Sequence, residues 1–261
     1  LLQSSAASDV YKRQGIIFKM KKILETRNLC KSFGAIKVAD ELNFHVAENE
    51  ALGIIGPNGA GKTSLFNLIT GTIKQDKGNI FYQGESIDHL NVPNRCHQGI
   101  SRSFQIPQPF GGLSVFENTF VAASHGAGLS TAIANKTCIQ ILEQTGLLSK
   151  ANQIANTLTL LERKRLELAR ALCAKPKILL LDEIAGGLTE SECQLLIQTI
   201  FAIKDTGISI IWIEHIVHAL MSVVDRLTVI NFGAKIADGP PKEIMNSKDV
   251  KEIYIGIEAD A

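Results

Sequence analysis

A glycine-rich loop carries the clearest chemistry in this sequence. It fits the pattern G-x-x-x-x-G-K-[ST] in full and reads Gly56-Pro57-Asn58-Gly59-Ala60-Gly61-Lys62-Thr63. Gly59 and Gly61 allow the backbone to curl, so that successive N–H groups point at phosphate oxygens. The pattern predicts that Lys62 reaches the β- and γ-phosphates of a nucleotide and that the Thr63 hydroxyl ligates Mg²⁺. We expect this loop, together with Ser64 after it, to bind a nucleotide.

Two adjacent carboxylates form the second chemical feature. Asp182 and Glu183 directly follow the apolar run Ile178–Leu181. Asp182, at the end of a buried strand, can hold Mg²⁺ directly or through water. Glu183 points the other way and can act as general base toward an attacking water. Such a pair alone is usually the surface end of a strand, but combined with a phosphate loop it predicts a site for nucleotide hydrolysis.

The segments around these motifs predict the elements that position them. Apolar runs of strand length, bounded by turn signals, occur at Ala51–Ile55, Ile178–Leu181 and Ile208–Ile213. Such runs are typical of parallel strands buried on both faces, and helical patterns lie between them, so the predicted fold class is α/β. The phosphate loop falls between the first run and the helical stretch Lys62–Ile69. That position argues against a turn that ends in Gly-Lys-Thr by chance.

The predicted domain organisation is one domain over residues 20–261 with a helical insertion at about 107–173. Strand signals are weak in the insertion, and apolar residues recur there at helical spacing, namely Leu166, Ala169, Leu172 and Cys173. Residues 1–19 are expected to be non-native or disordered, with the native start at Met20. The stretch Asp9–Gln14 back-translates to a transposon end used in sequencing-library adapters, which indicates a cloning or assembly scar.

Composition and charge argue against several classes of function. The 261 residues are 45% hydrophobic and 20% charged, and the formal net charge of +1 gives no general attraction to nucleic acid or anionic membrane. Five cysteines without a C-x-x-C pair favour a reducing compartment and argue against zinc. No segment reads as a transmembrane helix, so work at a membrane would require docking on embedded partners.

Further motifs resemble those of the ATP-binding subunits of ABC transporters. Ile100–Gln105 resembles the family's Q-loop, which implies that Gln105 senses Mg²⁺ and the attacking water. Ile211–His215 resembles the switch region, which implies that His215 contacts the γ-phosphate. Phe33 resembles the aromatic residue on which adenine stacks. In isolation His215 would be a satisfied histidine at a strand end and Phe33 a core residue, but their order along the chain favours the family roles.

Within this family the sequence resembles the ATPases of branched-chain amino acid importers. The residues that carry this resemblance are Ser103-Phe104-Gln105, Val115–Asn118, Ile213-Glu214-His215, Asp225-Arg226 and Tyr254-Ile255-Gly256. Lipopolysaccharide-export ATPases share the C-terminal pattern and remain an alternative. The resemblance implies an ABC-type P-loop domain with a mostly parallel core sheet and an N-terminal antiparallel β subdomain, in which Lys62, Gln105, Glu183 and His215 are catalytic.

The same resemblance implies cofactors, partners and a location. ATP and Mg²⁺ are the expected cofactors, with Thr63, Gln105 and Asp182 as the expected metal-site residues. The expected partners are a second ABC ATPase, integral membrane permease subunits and, indirectly, a periplasmic or surface solute-binding protein, with no nucleic acid. The expected location is peripheral, on the cytoplasmic face of the inner membrane.

The sequence departs from the family at its signature. ABC proteins carry a segment like L-S-G-G-Q that binds the γ-phosphate held by the opposite subunit, and the aligned segment here is Leu158-Thr159-Leu160-Leu161-Glu162. Leucine replaces both glycines, which hinders close approach of the backbone to a phosphate, and Glu162 adds a negative charge near an anionic ligand. In addition, Ile184 replaces the usual proline, and Ala185–Thr189 differs from the usual D-loop.

These departures predict a heterodimer. In a head-to-tail dimer each signature completes the partner's phosphate loop, so this chain's own site needs a good signature from a second, related ATPase. One alternative is a regulatory subunit that closes on ATP but hydrolyses it weakly, and the presence of Glu183 and His215 argues against it. Another is an ABC protein that acts on ribosomes or DNA, and the lack of tandem domains or basic extensions argues against that.

Overall fold

The computed structural model describes residues 21–252, and these form two sheets with helices around them. The strands are β1 (Lys22–Phe33), β2 (Ile36–Ala47), β3 (Ala51–Ile55), β4 (Lys77–Tyr82), β5 (Glu85–Ser86), β6 (Ile100–Ser103), β7 (Ile178–Asp182), β8 (Ser209–Ile213), β9 (Arg226–Asn231) and β10 (Ala234–Gly239). The α-helices are α1 (Lys62–Thr70), α2 (Val92–His97), α3 (Val115–Val121), α4 (Thr131–Gln144), α5 (Leu160–Cys173), α6 (Glu190–Lys204), α7 (Val217–Val223) and α8 (Pro241–Asn246). The expectations for residues 1–19 and for Tyr254-Ile255-Gly256 lie outside the described residues.

The two sheets have different topologies. The first has the order β2-β1-β4-β5 and is antiparallel throughout. The second has the order β10-β9-β3-β8-β7-β6, with every pair parallel except β9 and β10. The predicted α/β class, with a mostly parallel core sheet and an antiparallel N-terminal sheet, is confirmed.

The central strands β3, β7 and β8 are buried over their whole length because apolar side chains project from both faces. Leu179 and Leu181 pack into a core with α5 and α6, whereas Ile178 and Leu180 pack into a core with α1 and the antiparallel sheet. This alternation follows from the period of two in a strand. Because β3, β6, β7 and β8 pair in parallel, their carboxyl ends lie at one edge of the sheet, where the motif residues follow.

Residues 107–173 form no strand of either sheet and contain α3, α4 and α5. α3 begins with a capping box in which Ser114 and Glu117 bond each other's backbone N–H groups. A short π-helical turn, Ala122–Gly126, continues α3. The three helices surround a small core that includes Leu142 and Leu166. The domain boundary at Met20 stays a prediction.

The described residues also bear on metals, cysteines and membranes. Within residues 21–252 all five cysteines are free, and Cys138, Cys173 and Cys193 are buried. The same residues contain no group of three or more His, Cys, Asp or Glu side chains that could hold a metal ion. No helix among them has the length and apolar character needed to cross a membrane.

Candidate functional site

The phosphate loop joins the end of β3 to the start of α1 and depends on glycine for close packing. A Cβ atom on Gly56 would lie 2.0 Å from the carbonyl oxygen of Ile230, and one on Gly61 would lie 2.1 Å from that of Val38. Gly59 has φ +78°, and a Cβ atom added there would have no neighbouring heavy atom within 4 Å among the described residues. Two glycines therefore let the loop pack against neighbouring backbone, and the third faces open space.

A cleft of about 410 Å³ lies over this loop. Its lining residues are Ile36, Val38, Asn58, Gly59, Ala60, Gly61, Lys62, Thr63, Ser64, Gln105 and Glu183. No side chain caps the N-terminus of α1, so the N–H groups of its first turn are available to an anion. The structure thus places most of the predicted nucleotide-binding residues around one cavity.

Lys62 supplies a buried positive charge at the base of the cleft. The residue is 5% exposed, and Nζ donates hydrogen bonds to the carbonyl oxygens of Gly56 at 2.7 Å and Pro57 at 2.9 Å. Burial lowers the pKa of the Lys62 ammonium, while the nearby carboxylates of Glu183 and Asp182 act in the opposite direction. An ammonium held this way is suited to an anionic ligand, which would replace bonds to neutral carbonyl oxygens with bonds between opposite charges.

Glu183 stands at the centre of the predicted catalytic residues. Its backbone has φ +46°, outside the strand conformation, and its N–H donates to the carbonyl of Ile213 at 2.8 Å. Gln105 Nε2 donates to Oε2 of Glu183 at 2.5 Å, and His215 Nε2 lies 2.8 Å from Oε1. Side chains that follow β6, β7 and β8 therefore meet at one carboxylate.

Asp182, the last residue of β7, is buried and pairs with an arginine that sequence analysis missed. Arg102 on β6 donates from one terminal nitrogen to Oδ2 of Asp182 at 2.5 Å and from the other to Oδ1 of Asn67 at 2.6 Å. Burial raises the pKa of Asp182, and Arg102 opposes that shift. The available sequence signal was a charged residue in the short strand just before Gln105.

The residues at this edge of the sheet fit a hydrated divalent cation. Oδ1 of Asp182 is buried without a hydrogen-bond partner in the described protein, which a cation or its bound water would satisfy. Thr63, in the first turn of α1, and Gln105 both line the cleft. Mg²⁺ usually binds through one or two carboxylates together with water and phosphate oxygens, which matches this sparse set of ligands.

Glu214 is a second residue that sequence analysis gave no role. It is 2% exposed, and its carboxylate accepts hydrogen bonds from the N–H groups of Ala185 at 3.0 Å and His215 at 3.2 Å. Burial raises the pKa of this carboxyl group, and the two backbone bonds lower it by less. Glu214 thereby joins the loop after Glu183 to the backbone of His215, the expected switch histidine.

Phe33 lies at the turn between β1 and β2 and is half exposed. It pairs with Ile36 across the hairpin, and the ammonium of Lys31 lies 5.3 Å from its ring centroid. Ile36 and Val38 line the cleft over the phosphate loop, whereas Phe33 lies beyond that lining. An adenine ring on Phe33 would therefore extend past the cavity along the β1–β2 hairpin.

The signature segment forms a helix start that is capped by its own side chains. The Thr159 hydroxyl accepts a bond from the N–H of Glu162 at 3.4 Å, and the Thr159 N–H donates to Oε2 of Glu162 at 2.9 Å. Glu162 also pairs with Lys150, so the expected extra negative charge has a neighbouring cation. Burial would raise the pKa of Glu162, but its bonds to Lys150 and Thr159 outweigh burial and lower it.

Leu160 and Leu161 are the first two residues of α5, directly after the capping residue Thr159. Leu160 is 45% exposed, and its Cδ2 lies 3.4 Å from the position of a Cβ on Gly187 in the D-loop segment. Leu161 is almost fully buried. The segment therefore presents a leucine side chain where the family presents glycine backbone, and the flanking N–H groups of Thr159 and Glu162 are already bonded.

Together, the parallel sheet, the phosphate loop and the carboxylates at the strand ends define a P-loop nucleotide-binding protein. The sequence profile of the ABC transporter family matches residues 39–186, and the chain belongs to that family. The expected family and its ATPase class are confirmed, and the chain is an ATP-binding subunit of the ABC transporter type.

Relatives with known names agree with this assignment. The high-affinity branched-chain amino acid transport ATP-binding protein BraF of Pseudomonas aeruginosa is 35% identical over 251 residues, which cover 90% of this chain and 98% of BraF. The corresponding protein LivG of Escherichia coli is 32% identical over 249 residues with the same coverage of both chains. The lipopolysaccharide export ATP-binding protein LptB of Haemophilus influenzae is 32% identical over 234 residues, covering 90% of this chain and 97% of LptB.

Solved structures show the same fold. The ADP conformation of MJ1267, an ATP-binding cassette of an ABC transporter, has a TM-score of 0.81 at 30% identity and covers 90% of this chain and 99% of MJ1267. A nucleotide-free ATP-binding cassette has a TM-score of 0.81 at 29% identity, covering 89% of this chain and 98% of that one.

Proposed function

We propose that this chain binds ATP with Mg²⁺ at the phosphate loop and hydrolyses it to power an importer of branched-chain or similar amino acids. The observation that carries the hydrolytic part is the convergence of Gln105 and His215 on the carboxylate of Glu183, beside the cleft that Lys62 lines. The amino acid substrate is supported by the names of BraF and LivG.

The residues act on ATP in separate roles. Lys62 and the N–H groups at the start of α1 bind the β- and γ-phosphates. Glu183 takes a proton from a water molecule as the water oxygen attacks the γ-phosphorus, and the bond to the bridging oxygen breaks so that ADP leaves with the electron pair. Gln105 and His215 orient Glu183 and the water, and His215 also contacts the γ-phosphate.

The metal site is built by Thr63, Asp182 and Gln105. Bound Mg²⁺ would neutralise charge on the β- and γ-phosphate oxygens. Thr63 would offer its hydroxyl from the first turn of α1, and Asp182 would offer Oδ1, the oxygen that Arg102 leaves unpaired. Gln105 would link this site to Glu183, since its amide nitrogen already bonds that carboxylate.

We infer that a permease subunit docks beside the Q-loop. Phe104, Ile106 and Phe110 are 51%, 71% and 47% exposed, and they lie in the segment that follows β6. A neighbouring cleft of about 280 Å³, mostly apolar, is lined by Phe104 and Arg170 among others. An exposed apolar patch next to a catalytic residue is typical of a partner surface. In a membrane transporter its occupant is a cytoplasmic segment of the permease, which puts this chain on the cytoplasmic face of the inner membrane.

We infer that the dimer partner is a second, different ATPase subunit. The capped helix start at Thr159 and the exposed Leu160 disfavour close approach to a phosphate, so two copies of this chain would give two weakened sites. A related subunit with the Leu-Ser-Gly-Gly-Gln signature would complete the site of this chain. A solute-binding protein would act further upstream, through the permease.

A lipopolysaccharide-export-like system is the second candidate, because LptB aligns over nearly its whole length. The two candidates differ in what stimulates hydrolysis. In the assembled transporter, branched-chain amino acid with its binding protein should raise ATP turnover under the import proposal, and lipopolysaccharide should do so under the export alternative.

The hydrolytic role is tested by Glu183→Gln in this chain, assayed together with its partner ATPase. We expect phosphate release to fall by about 10²- to 10⁴-fold, because the general base is lost, with ATP binding retained. The matched control is Glu190→Gln, an exposed glutamate at the start of α6, which should leave turnover unchanged. Wild-type turnover in the Glu183→Gln protein would refute the proposed role of Glu183.

A further inference from the structure

Arg102 lies in the segment Ile100–Gln105 but has no role of its own in that motif, and both of its terminal nitrogens are hydrogen-bonded at the site. It is 7% exposed at the side chain and bridges Asp182 on β7 and Asn67 on α1. Its guanidinium also lies over two aromatic rings, 5.5 Å from the centroid of Phe66 and 5.0 Å from that of Phe104. Contacts from the phosphate-loop helix and from the start of the Q-loop therefore fix its orientation.

The contact with Arg102 uses only one of the two carboxylate oxygens of Asp182. Oδ2 accepts the hydrogen bond from Arg102 at 2.5 Å, whereas Oδ1 is buried and has no partner among the described residues. A buried carboxylate without a cation is strongly disfavoured, and a fixed guanidinium stabilises it in one orientation. Residues that bond a metal ligand in this way commonly set the affinity of the site for its metal.

We propose that Arg102 is a positioning residue that binds Oδ2 of Asp182 and so reserves Oδ1 for Mg²⁺ or a water of its shell. This inference rests on the proposed function, since it assumes that Asp182 belongs to the metal site. The opposite arrangement, in which Arg102 competes with the metal for Asp182, predicts that the metal affinity rises when the arginine is removed.

The test compares nucleotide binding with and without metal in the full chain. A fluorescent ATP analogue is titrated in EDTA, and the nucleotide complex is then titrated with Mg²⁺ or Mn²⁺ to obtain the metal affinity. For Arg102→Met we expect metal affinity to fall by about 10- to 100-fold, the range seen for residues that hold metal ligands, with nucleotide affinity in EDTA unchanged. Arg102→Lys should recover part of the metal affinity, because it restores the charge but not both hydrogen bonds.

Arg170 provides the matched control. It lines the same cleft as Arg102, lies 5.0 Å from the ring centroid of Phe110, and pairs with Glu167 at 2.8 Å. Its carboxylate partner lies on α5 rather than at the strand ends, so Arg170→Met should leave metal affinity unchanged. An equal loss in Arg170→Met would show a general effect of the cleft and overturn the assignment of Arg102.

A second variant keeps the test decisive if Arg102→Met does not fold. Asn67→Ala removes one anchor of the guanidinium and retains the ion pair, so we expect a smaller loss of metal affinity in the same direction. Unchanged or tighter metal binding in folded Arg102→Met or Asn67→Ala protein would overturn the inference. If the wild-type chain binds no nucleotide in either condition, the proposed function itself fails.

Discussion

The carboxylate of Glu183 is contacted by an amide on one oxygen and by an imidazole on the other, rather than by a guanidinium. Gln105 and His215 contact its two oxygens at 2.5 and 2.8 Å, while the arginine of the site pairs with Asp182 instead. This division gives Asp182 a fixed orientation and leaves both oxygens of Glu183 in contact with the two residues that the proposed mechanism uses.

Glu214 leads to a prediction about stability and pH. Burial raises the pKa of its carboxyl group above the ordinary value of 4.5, so its contribution to stability is fully present below that value and is lost as pH rises through the folded-state pKa. Glu214→Gln removes the buried charge, but its single amide oxygen can accept from only one of the two N–H groups, which bond different carboxylate oxygens. We expect the variant to have a lower Tm than wild type near pH 4, where one hydrogen bond is lost, and this deficit to shrink or reverse at pH 7.5, where the wild-type protein buries a charge.

Thermal unfolding from pH 4 to pH 8 measures this difference. The exposed residue Glu190 again serves as control, and for Glu190→Gln the difference in Tm from wild type should change little between those limits. A Glu214→Gln protein that loses more stability at pH 7.5 than near pH 4 would contradict the argument, since it would show that the ionised carboxylate is the stabilising form.

Contiguous motifs made some of these residues predictable and not others. Lys62, Asp182 and Glu183 were placed because each lies in a short pattern whose chemistry is local. Arg102 and Glu214 were missed because each bonds a residue far along the chain, Asp182 and Ala185 respectively, and only the fold brings them together. Arg102 lies within β6 and Glu214 directly follows β8, so a charged residue in or next to a short apolar strand is the signal that both share.

At the scale of elements, the phosphate loop is held by backbone packing against β9 and β2. Gly56 and Gly61 leave no room for a side chain, because the nearest carbonyl oxygens belong to Ile230 and Val38. The loop is therefore positioned before any nucleotide contact is made. Preorganised donors of this kind need no rearrangement when an anion binds.

Alanine substitutions separate packing from backbone conformation in this loop. In Gly56→Ala the added Cβ would lie 2.0 Å from the Ile230 carbonyl oxygen, so β9 or the loop must move. We expect a loss of about 3 kcal/mol or more in the free energy of unfolding, together with weaker ATP binding. Gly59→Ala meets nothing within 4 Å and should lose only about 1–2 kcal/mol, from its positive φ.

Chemical denaturation of both variants measures the two losses. The prediction fails if Gly59→Ala is destabilised as much as Gly56→Ala, since contact with Ile230 would then be irrelevant.

The elements themselves followed closely from hydrophobic pattern. Ala51–Ile55 is a strand as predicted, the run from Ile178 extends one residue further to Asp182, and β8 begins at Ser209 rather than Ile208. Ser209 starts the strand because its N–H donates to the carbonyl of Lys177. The π-helical turn after α3 and the capped start of α5 were not anticipated, because both depend on contacts within the helical region.

At the scale of the whole molecule, the chain has a complete set of residues on one side of a composite site and an altered set on the other. Under the proposed function, the cleft residues, Glu183 and His215 carry out hydrolysis in cis. The segment that would serve a partner in trans has an internally capped helix start with Leu160 exposed. The sequence predicted this asymmetry from the lost glycines, but the neutralising contact of Glu162 with Lys150 required the fold.

The most direct test is the ATPase rate of this chain alone and mixed with a partner ATPase that carries an intact signature. We predict that the chain alone is slower than the mixture by on the order of 100-fold, the cost of losing a preorganised donor to a reacting phosphate. Glu183→Gln in this chain should then abolish the activity that the mixture gains. Rapid hydrolysis by the chain alone, with dimerisation on ATP, would contradict the account.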